Sequence, residues 1–546
     1  MRARRYIVAG RNGKAAEELS AGRSVEEFLQ EYQNYSETEN GAIGYRSANQ
    51  ALVNLNFMVS SLRNREEADI VRMFIQAYYE TPEYAVKWLF FARDIQEGLG
   101  ERRTFRVCLK YLAESHPAVA GAILPLIPQY GRFDDLLVFL DTSLCHKTGE
   151  FIRRQLQKDL QAMEEGKPIS LLGKWLPSIN TSSKESVRLA RKLLGELHMS
   201  EKEYRKTLSK LRAYSKVTEV AMTARDWQEI DYEKVPAKAG MKYEKAFDRH
   251  DKVRYEGFLR EVALGDKKLN SNGLVPYDIV RKIIGESYYG MGLKDNALAE
   301  VLWQILRERG YQSDFGLENA IVVSDGSGSM YSMLGDYSCN GKSRSEVRPI
   351  DVAVSLAIYF AEQLQGVFHD KAITFSSRPQ FIDLSKGHTL KQKVEIMMSH
   401  NEISNTNIEA VFDMLLALAR SEQVPQEQMP KQVLIISDME FDAASTPNSY
   451  RDAGRPFSAT LFGEIRQKWE AAGYQLPKLI FWNVNSRTGT IPMTTNEAGV
   501  ALISGVSQNA MKVAAVKEKR DPFESLTSIL DGERYRPVTM ALRRAS

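Results

Sequence analysis

Cysteine is scarce in this chain, with three in 546 residues. Cys108, Cys145 and Cys339 stand far apart with no C-x-x-C pair, which excludes a disulfide framework and a zinc knuckle and points to a reducing compartment. The seven histidines form no H-x-x-x-H pair. Long apolar runs are missing too. The best stretch, Pro117 to Pro128, is about a dozen residues and contains prolines, against about 20 for a membrane span. Met1-Arg2-Ala3-Arg4-Arg5 carries the charge of a secretory leader, but the apolar run after it ends at Gly10, so a cytoplasmic protein without membrane contact is expected. Charge of one sign is also lacking: 73 Lys and Arg meet 70 Asp and Glu, net +3. That excludes a polycation and an acidic disordered chain as descriptions of the whole molecule. Apolar residues at 43% and charged residues at 26% are ordinary for a folded chain. The length predicts about three to five domain-sized units.

What is present falls into two grammars. From about residue 45 to 310 the sequence reads as consecutive short helices. The stretches 51–62, 66–79, 82–94, 101–114 and 117–127 repeat apolar residues three and four apart, the helical period. Thr81-Pro82 and His116-Pro117 look like cap and first-turn pairs. Helices of this size joined by short turns predict an α-solenoid of helix pairs over 45–312, behind an N-terminal extension 1–44. From Ser313-Asp314-Phe315-Gly316 onward, apolar runs at 320–324, 372–375, 432–436, 479–484 and 500–503 alternate with helical stretches at 350–368 and 408–419. Such runs predict parallel strands covered on both faces, a doubly wound α/β domain over 316–515. Residues 516–546 read as a tail, helical to Leu530 and basic at Arg543-Arg544.

The sharpest motif is Asp325-Gly326-Ser327-Gly328-Ser329, directly after the first strand of the α/β part. Ligands in such folds bind at the carboxyl ends of strands, and D-x-S-x-S offers one carboxylate and two hydroxyls around one point. These hard oxygens suit Mg²⁺ or Mn²⁺. Thr406 opens a helix after the second strand and Asp438 follows the third, so three successive strand ends would bring oxygens to one place.

Aspartate, two serines, threonine and aspartate in that order resemble the metal-ion-dependent adhesion site of von Willebrand factor A domains. The resemblance implies Ser327, Ser329 and Thr406 as direct ligands and Asp325 and Asp438 as ligands through water, with one position open to an acidic residue of a protein partner. The segment Tyr331 to Val347 departs from that pattern. Helical repeats followed by an A domain are similar to Ro (TROVE) proteins, a resemblance that implies HEAT-like repeats able to close into a ring and small structured or single-stranded RNA as ligand. None of the Ro RNA contacts transfers residue by residue. The phrases Phe91-Ala92-Arg93-Asp94, Gln129-Tyr130-Gly131-Arg132-Phe133-Asp134-Asp135-Leu136, Lys174-Trp175-Leu176-Pro177-Ser178 and Ser437-Asp438-Met439-Glu440-Phe441-Asp442 resemble the family named domain of unknown function 2828.

Basic charge is concentrated in 151–250, with 21 basic and 14 acidic residues, net +7. Arg188, Arg191 and Lys192 share one helical face, and Lys202, Arg205, Lys206 and Lys210 share the next. Two such faces side by side would track phosphates, with Trp175, Tyr204 and Tyr214 available to stack on bases or to fill a core. Glu196, Glu201 and Glu203 interleave with them, so solvated helix faces are the bland alternative. Asp248-Arg249-His250-Asp251 reads as a polar contact between helices. Gly341-Lys342-Ser343 lacks both the preceding strand and the glycine spacing of a phosphate loop. The favoured function is a monomeric, non-enzymatic RNA-binding scaffold with a metal-binding A domain. The alternatives are a metal-dependent protein-interaction module without RNA and, last, a metal-dependent hydrolase, for which no general base stands out.

Overall fold

A computed structural model of the chain describes residues 33–63, 65–285, 292–313, 315–317, 319–332, 347–375, 378–401, 406–443, 460–494, 499–515 and 521–544. Most of the segment 331–347 lies outside the described residues. Contacts divide the chain into two compact units. One takes everything before Glu66, then Val275–Trp303 and Arg307–Ile529; the other takes Glu66–Leu274, Gln304–Leu306 and Leu530–Ser546. This partition differs from the boundaries read from sequence: the residues before Glu66 and Val275–Trp303 group with the α/β part, and Leu530–Ser546 groups with the helical residues.

The first unit contains eight described strands. β1 (Tyr35–Glu37) and β2 (Ile43–Tyr45) form an antiparallel pair. β3 (Ala320–Asp325), β4 (Lys371–Phe375), β5 (Gln380–Asp383), β6 (Gln432–Ser437), β7 (Lys478–Asn483) and β8 (Val500–Ser504) form one sheet in the order β5-β4-β3-β6-β7-β8. The five apolar runs are the parallel strands β3, β4, β6, β7 and β8. β5 escapes the expectation of a wholly parallel sheet: it pairs antiparallel with β4 at the edge. Only residues 376–379 separate the two, too few for the crossover that a parallel neighbour requires.

Alternation on the strands feeds two cores. Ile321, Val323, Ile435, Phe481 and Leu502 face a cluster with Phe412, Phe462 and Trp469 from the helices Glu409–Ser421 and Leu461–Ala471. Val53 and Phe57, from the helix Ala51–Phe57, join the same cluster, so a segment 270 residues upstream in the chain finishes the α/β core. On the other face lies the helix Pro349–Gln363, nearly all of it buried. Phe360 meets Trp482 at 5.5 Å between ring centres, and the Trp482 indole donates to the Gly505 carbonyl at 2.8 Å. Buried polar contacts fix the outer helices: Trp303 Nε1 donates to Glu362 at 2.9 Å and Lys393 pairs with Glu362 at 2.6 Å.

The second unit is helical. Glu67–Glu80, Pro82–Arg93, Arg103–Ser115, Pro117–Ile123, Cys145–Glu164, Lys184–Leu197, Glu201–Tyr214, Ala237–His250 and Lys252–Leu264 pack chiefly on neighbours in sequence. Ser200 and Glu203 cap Glu201–Tyr214 reciprocally, satisfying two of the amide donors a helix start leaves free. The network Arg93–Asp135–Arg106 ties distant turns together, with Asp135 fully buried and both arginines within 2.8 Å of it.

The C-terminal helix Arg536–Arg543 and the turn before it return to this unit. Arg534 grips the buried Asp94 through both arms, at 2.8 and 3.0 Å, and Tyr535 donates to the same carboxylate at 3.3 Å. Asp531 pairs with Lys87 at 2.7 Å. Removing one partner of a buried pair leaves the other charged and desolvated. Arg534→Met is therefore expected to lower the stability of the helical unit by roughly 3 kcal/mol, seen as an earlier urea midpoint for that unit, while Arg536→Met, whose partner Glu533 is exposed, leaves it unchanged.

Candidate functional site

β3 and β6 are central and adjacent, with Ser324 opposite Ile436. The chain leaves β3 toward β4 on one side, and β6 lies on the other. This is the reversal point of a doubly wound sheet, where a crevice opens beyond the strand ends. Asp325 closes β3 there and Asp438 follows β6, and both are fully buried.

The local turns follow from the sequence. Asp325 Oδ1 accepts the Ser327 amide at 2.9 Å, and Oδ2 accepts the Ser437 hydroxyl at 2.6 Å. The hydroxyls of Ser327 and Ser329 lie 3.1 Å apart, and that of Ser329 also hydrogen-bonds Asp438. Gly326 is required: a Cβ there would sit 2.5 Å from the Asn401 side-chain oxygen. After Asp438 the chain turns sharply through Met439, whose φ is +64°, and Asp438 accepts the Glu440 amide at 3.2 Å. Thr406 is buried and ties to the same loop, its carbonyl accepting the Asp442 amide at 3.0 Å. Asp325, Ser327, Ser329 and Asp438 are thus linked by hydrogen bonds beyond the carboxyl ends of two central strands, and Thr406 is tied through its backbone to the loop that follows Asp438.

Two buried carboxylates this close are electrostatically expensive. Burial first, then the neighbouring Asp438 carboxylate, pushes the Asp325 carboxyl up to about 7. Burial also raises Asp438, and Arg487 opposes the rise. Among the described residues Asp325 has no cationic partner, and no three His, Cys, Asp or Glu side chains converge. Asp325, Asp438, Ser327 and Ser329 offer only hard oxygens, with the Thr406 hydroxyl at Asn40, a donor chemistry that fits Mg²⁺ or Mn²⁺ and not a soft metal.

Four participants, Arg487, Glu440, Glu39 and Asn40, were not singled out from sequence. Arg487, on the loop after β7, donates from Nη1 to Asp438 Oδ2 at 2.9 Å and from Nε to Glu39 at 2.7 Å. Glu440, fully buried, accepts the amides of Glu39, Arg487 and Thr488. Asn40 donates to the Glu440 carbonyl at 2.7 Å and reaches the Thr406 hydroxyl at 3.4 Å. Arg487 was findable, since it follows a strand end as the aspartates do. Glu39 and Asn40 gave no signal, because about 400 residues separate them from the loop they touch.

The basic helix faces fare differently. Arg188 is held bidentately by Asp141, at 2.9 and 2.8 Å, and also by Glu185; Lys192 reaches Asp141 at 2.9 Å, and Arg191 lies 3.5 Å from Glu201. The expected stripe on Lys184–Leu197 is thus largely neutralised, by Glu185 on the same helix, by Glu201 on the next and by Asp141 from an earlier turn. Arg205, Lys206 and Lys210 are exposed and pair with no carboxylate among the described residues. Arg205 and Lys206 line a groove of about 1320 Å³ that sequence did not reveal, together with Lys174, Arg212, Lys238 and Lys242. Its one acid is Glu219, already engaged by Tyr243 at 3.0 Å and by Lys174 at 3.8 Å. Trp175 lies half-buried at the groove with the Arg132 guanidinium 4.1 Å from its ring centre. Tyr204 is buried, donating to the Pro177 carbonyl at 2.9 Å, so it cannot stack on a base. The Asp248–Asp251 cluster is a contact between helices, with His250 stacked on Trp227 and Asp251 held by Tyr232 and Arg254.

An acid whose folded-state pKa is raised disfavours the folded state once the unfolded chain would ionise. Stability therefore declines as pH rises from about 4 towards 7 and then levels off. In chelator the melting temperature of wild type is expected to fall across that window. Asp325→Asn should flatten the slope and melt higher than wild type at pH 8.

Two family models match this chain. Domain of unknown function (DUF2828) covers residues 38–152 and 142–309, and domain of unknown function (DUF7788) covers 319–533. The break between them coincides with the change of sequence grammar near Ser313. An uncharacterized protein of Acanthamoeba polyphaga mimivirus is 27% identical over 541 residues, spanning 92% of this chain and 89% of that protein. By these matches the chain is similar to the domain of unknown function 2828 family through its helical part and to a second uncharacterised family through its α/β part.

Proposed function

We propose that this chain is a monomeric, cytoplasmic, non-enzymatic RNA-binding scaffold. Its helical unit, read as HEAT-like repeats, holds small structured or single-stranded RNA, and its α/β unit, read as a von Willebrand A-like domain, holds a divalent cation. The observation that carries the RNA reading is the groove of the helical unit. It concentrates Arg205, Lys206 and Lys242, none paired with a carboxylate among the described residues, beside Lys174 and the half-buried Trp175. Phosphates would replace the counterions of those side chains, and salt would weaken the complex. No described helix is long and apolar enough to cross a membrane.

A second reading is favoured by a separate observation, the convergence of Asp325, Ser327, Ser329, Thr406 and Asp438 at the reversal point of the sheet. In that reading the cation, Mg²⁺ or Mn²⁺, takes its last ligand from an acidic residue of a protein partner, and RNA plays no part.

The groove distinguishes the two. With a labelled single-stranded RNA at low salt, Arg205→Glu/Lys206→Glu/Lys242→Glu is expected to weaken binding at least about tenfold and to reduce the log–log salt slope by about 2. Arg188→Glu/Arg191→Glu should change affinity little, since acids already hold both side chains. Wild type that ignores RNA at low salt overturns the RNA reading and leaves cation-dependent capture of an acidic protein.

A further inference from the structure

Arg487 is the one described cation that touches the buried carboxylate pair. Its guanidinium spans two acids, Nη1 on Asp438 and Nε on Glu39, and its side chain is 13% exposed. The placement is built into the fold. The Arg487 amide is fixed on Glu440 at 2.7 Å, and the Arg487 carbonyl accepts from Arg65 at 2.5 Å. Glu39 is fixed from the other side: its amide donates to Glu440 at 2.9 Å, Thr38 donates to the Phe441 carbonyl at 2.6 Å, and Ala443 donates to the Asn40 carbonyl at 3.0 Å. Glu39 and Arg487 are thus both aligned by the loop that carries Asp438.

The two contacts differ in environment. Asp438 is fully buried, whereas the Glu39 side chain is 44% exposed. A charge on a fully buried Asp438 without a counter-ion is costly, and the guanidinium answers that need. A divalent cation held among Asp325, Ser327, Ser329 and Thr406 would answer it more strongly, being doubly charged.

We infer that Arg487 is the resting counter-ion of this site, that a divalent cation loads by taking Asp438 from it, and that Glu39 retains the displaced guanidinium. This rests on the cation reading given above, and it makes the segment around Glu39 part of the site. Two substitutions then act with opposite sign. Arg487→Gln removes the competitor, and Glu39→Gln removes the alternative seat, leaving the guanidinium to Asp438 alone.

The test is Mn²⁺ binding to the full-length chain, followed by the loss of the free-ion electron paramagnetic resonance signal. Arg487→Gln is expected to bind Mn²⁺ about tenfold more tightly than wild type, Glu39→Gln to bind it several-fold more weakly, and Arg487→Lys to restore the wild-type order by returning the charge. A merely structural role predicts loss in both variants, and such a loss overturns the exchange. Equal affinity in wild type, Arg487→Gln and Glu39→Gln, with binding abolished in Asp325→Asn, overturns the exchange and leaves the cation reading standing. Mn²⁺ bound by none of them overturns both. If Arg487→Gln does not fold, the Glu39→Gln arm decides: unchanged or tighter binding there overturns the inference.

Discussion

Burying like charges side by side is the constraint on which the α/β unit turns. Asp325 and Asp438 end the two central strands, are closed off from solvent, and repel each other in a medium that screens poorly. Every polar group nearby is organised around that tension. Ser437 and the Ser327 amide spend their donors on Asp325, Ser329 and the Glu440 amide on Asp438, and Arg487 is brought in from the next loop. Hydrogen bonds lower the cost of two buried anions without cancelling it. A fold that keeps the arrangement in its central crevice has a site disposed towards positive charge.

The same loop also receives segments from remote parts of the chain. Residues 38–42 cross the loop that follows Asp438, and the helix Ala51–Phe57 then enters the core beneath β8. Glu440 gathers the two remote segments, accepting amides from Glu39 on one and from Arg487 and Thr488 on the other. One buried carboxylate beside the pair thus serves as an anchor for the backbone, while the pair itself stays short of donors. The turn at Met439, in the left-handed region, is what aims Asp438 and Glu440 at different partners.

In the helical unit the same chemistry is used to different effect. Arg93, Arg106 and Arg534 each meet an acid that is fully buried, and these pairs join turns distant in sequence. On the surface, Asp141 and Glu185 silence Arg188 and Lys192, while Arg205 and Lys206 face a groove poor in acid. Net charge per segment could not separate the two helices. Both read as basic faces with interleaved glutamates, and the position of Asp141, 47 residues upstream of Arg188, together with the local pairs to Glu185 and Glu201, tells them apart.

By itself the sequence determined what short-range periodicity and strand-end chemistry can encode: the helices before residue 310, the five parallel strands, and the strand-end loops that carry Asp325, Ser327, Ser329 and Asp438. These follow because the period of an element and the position of a loop after a strand are local properties. The tertiary structure alone decided which charges stay free, which segments complete each unit, and what faces the carboxylate pair. The antiparallel β5, the N-terminal residues against Thr406 and Glu440, the C-terminal return onto Asp94 and the reach of Arg487 all depend on groups far apart in the chain. Pairing at that range is set by burial and electrostatics in three dimensions, which leave no periodic trace in one.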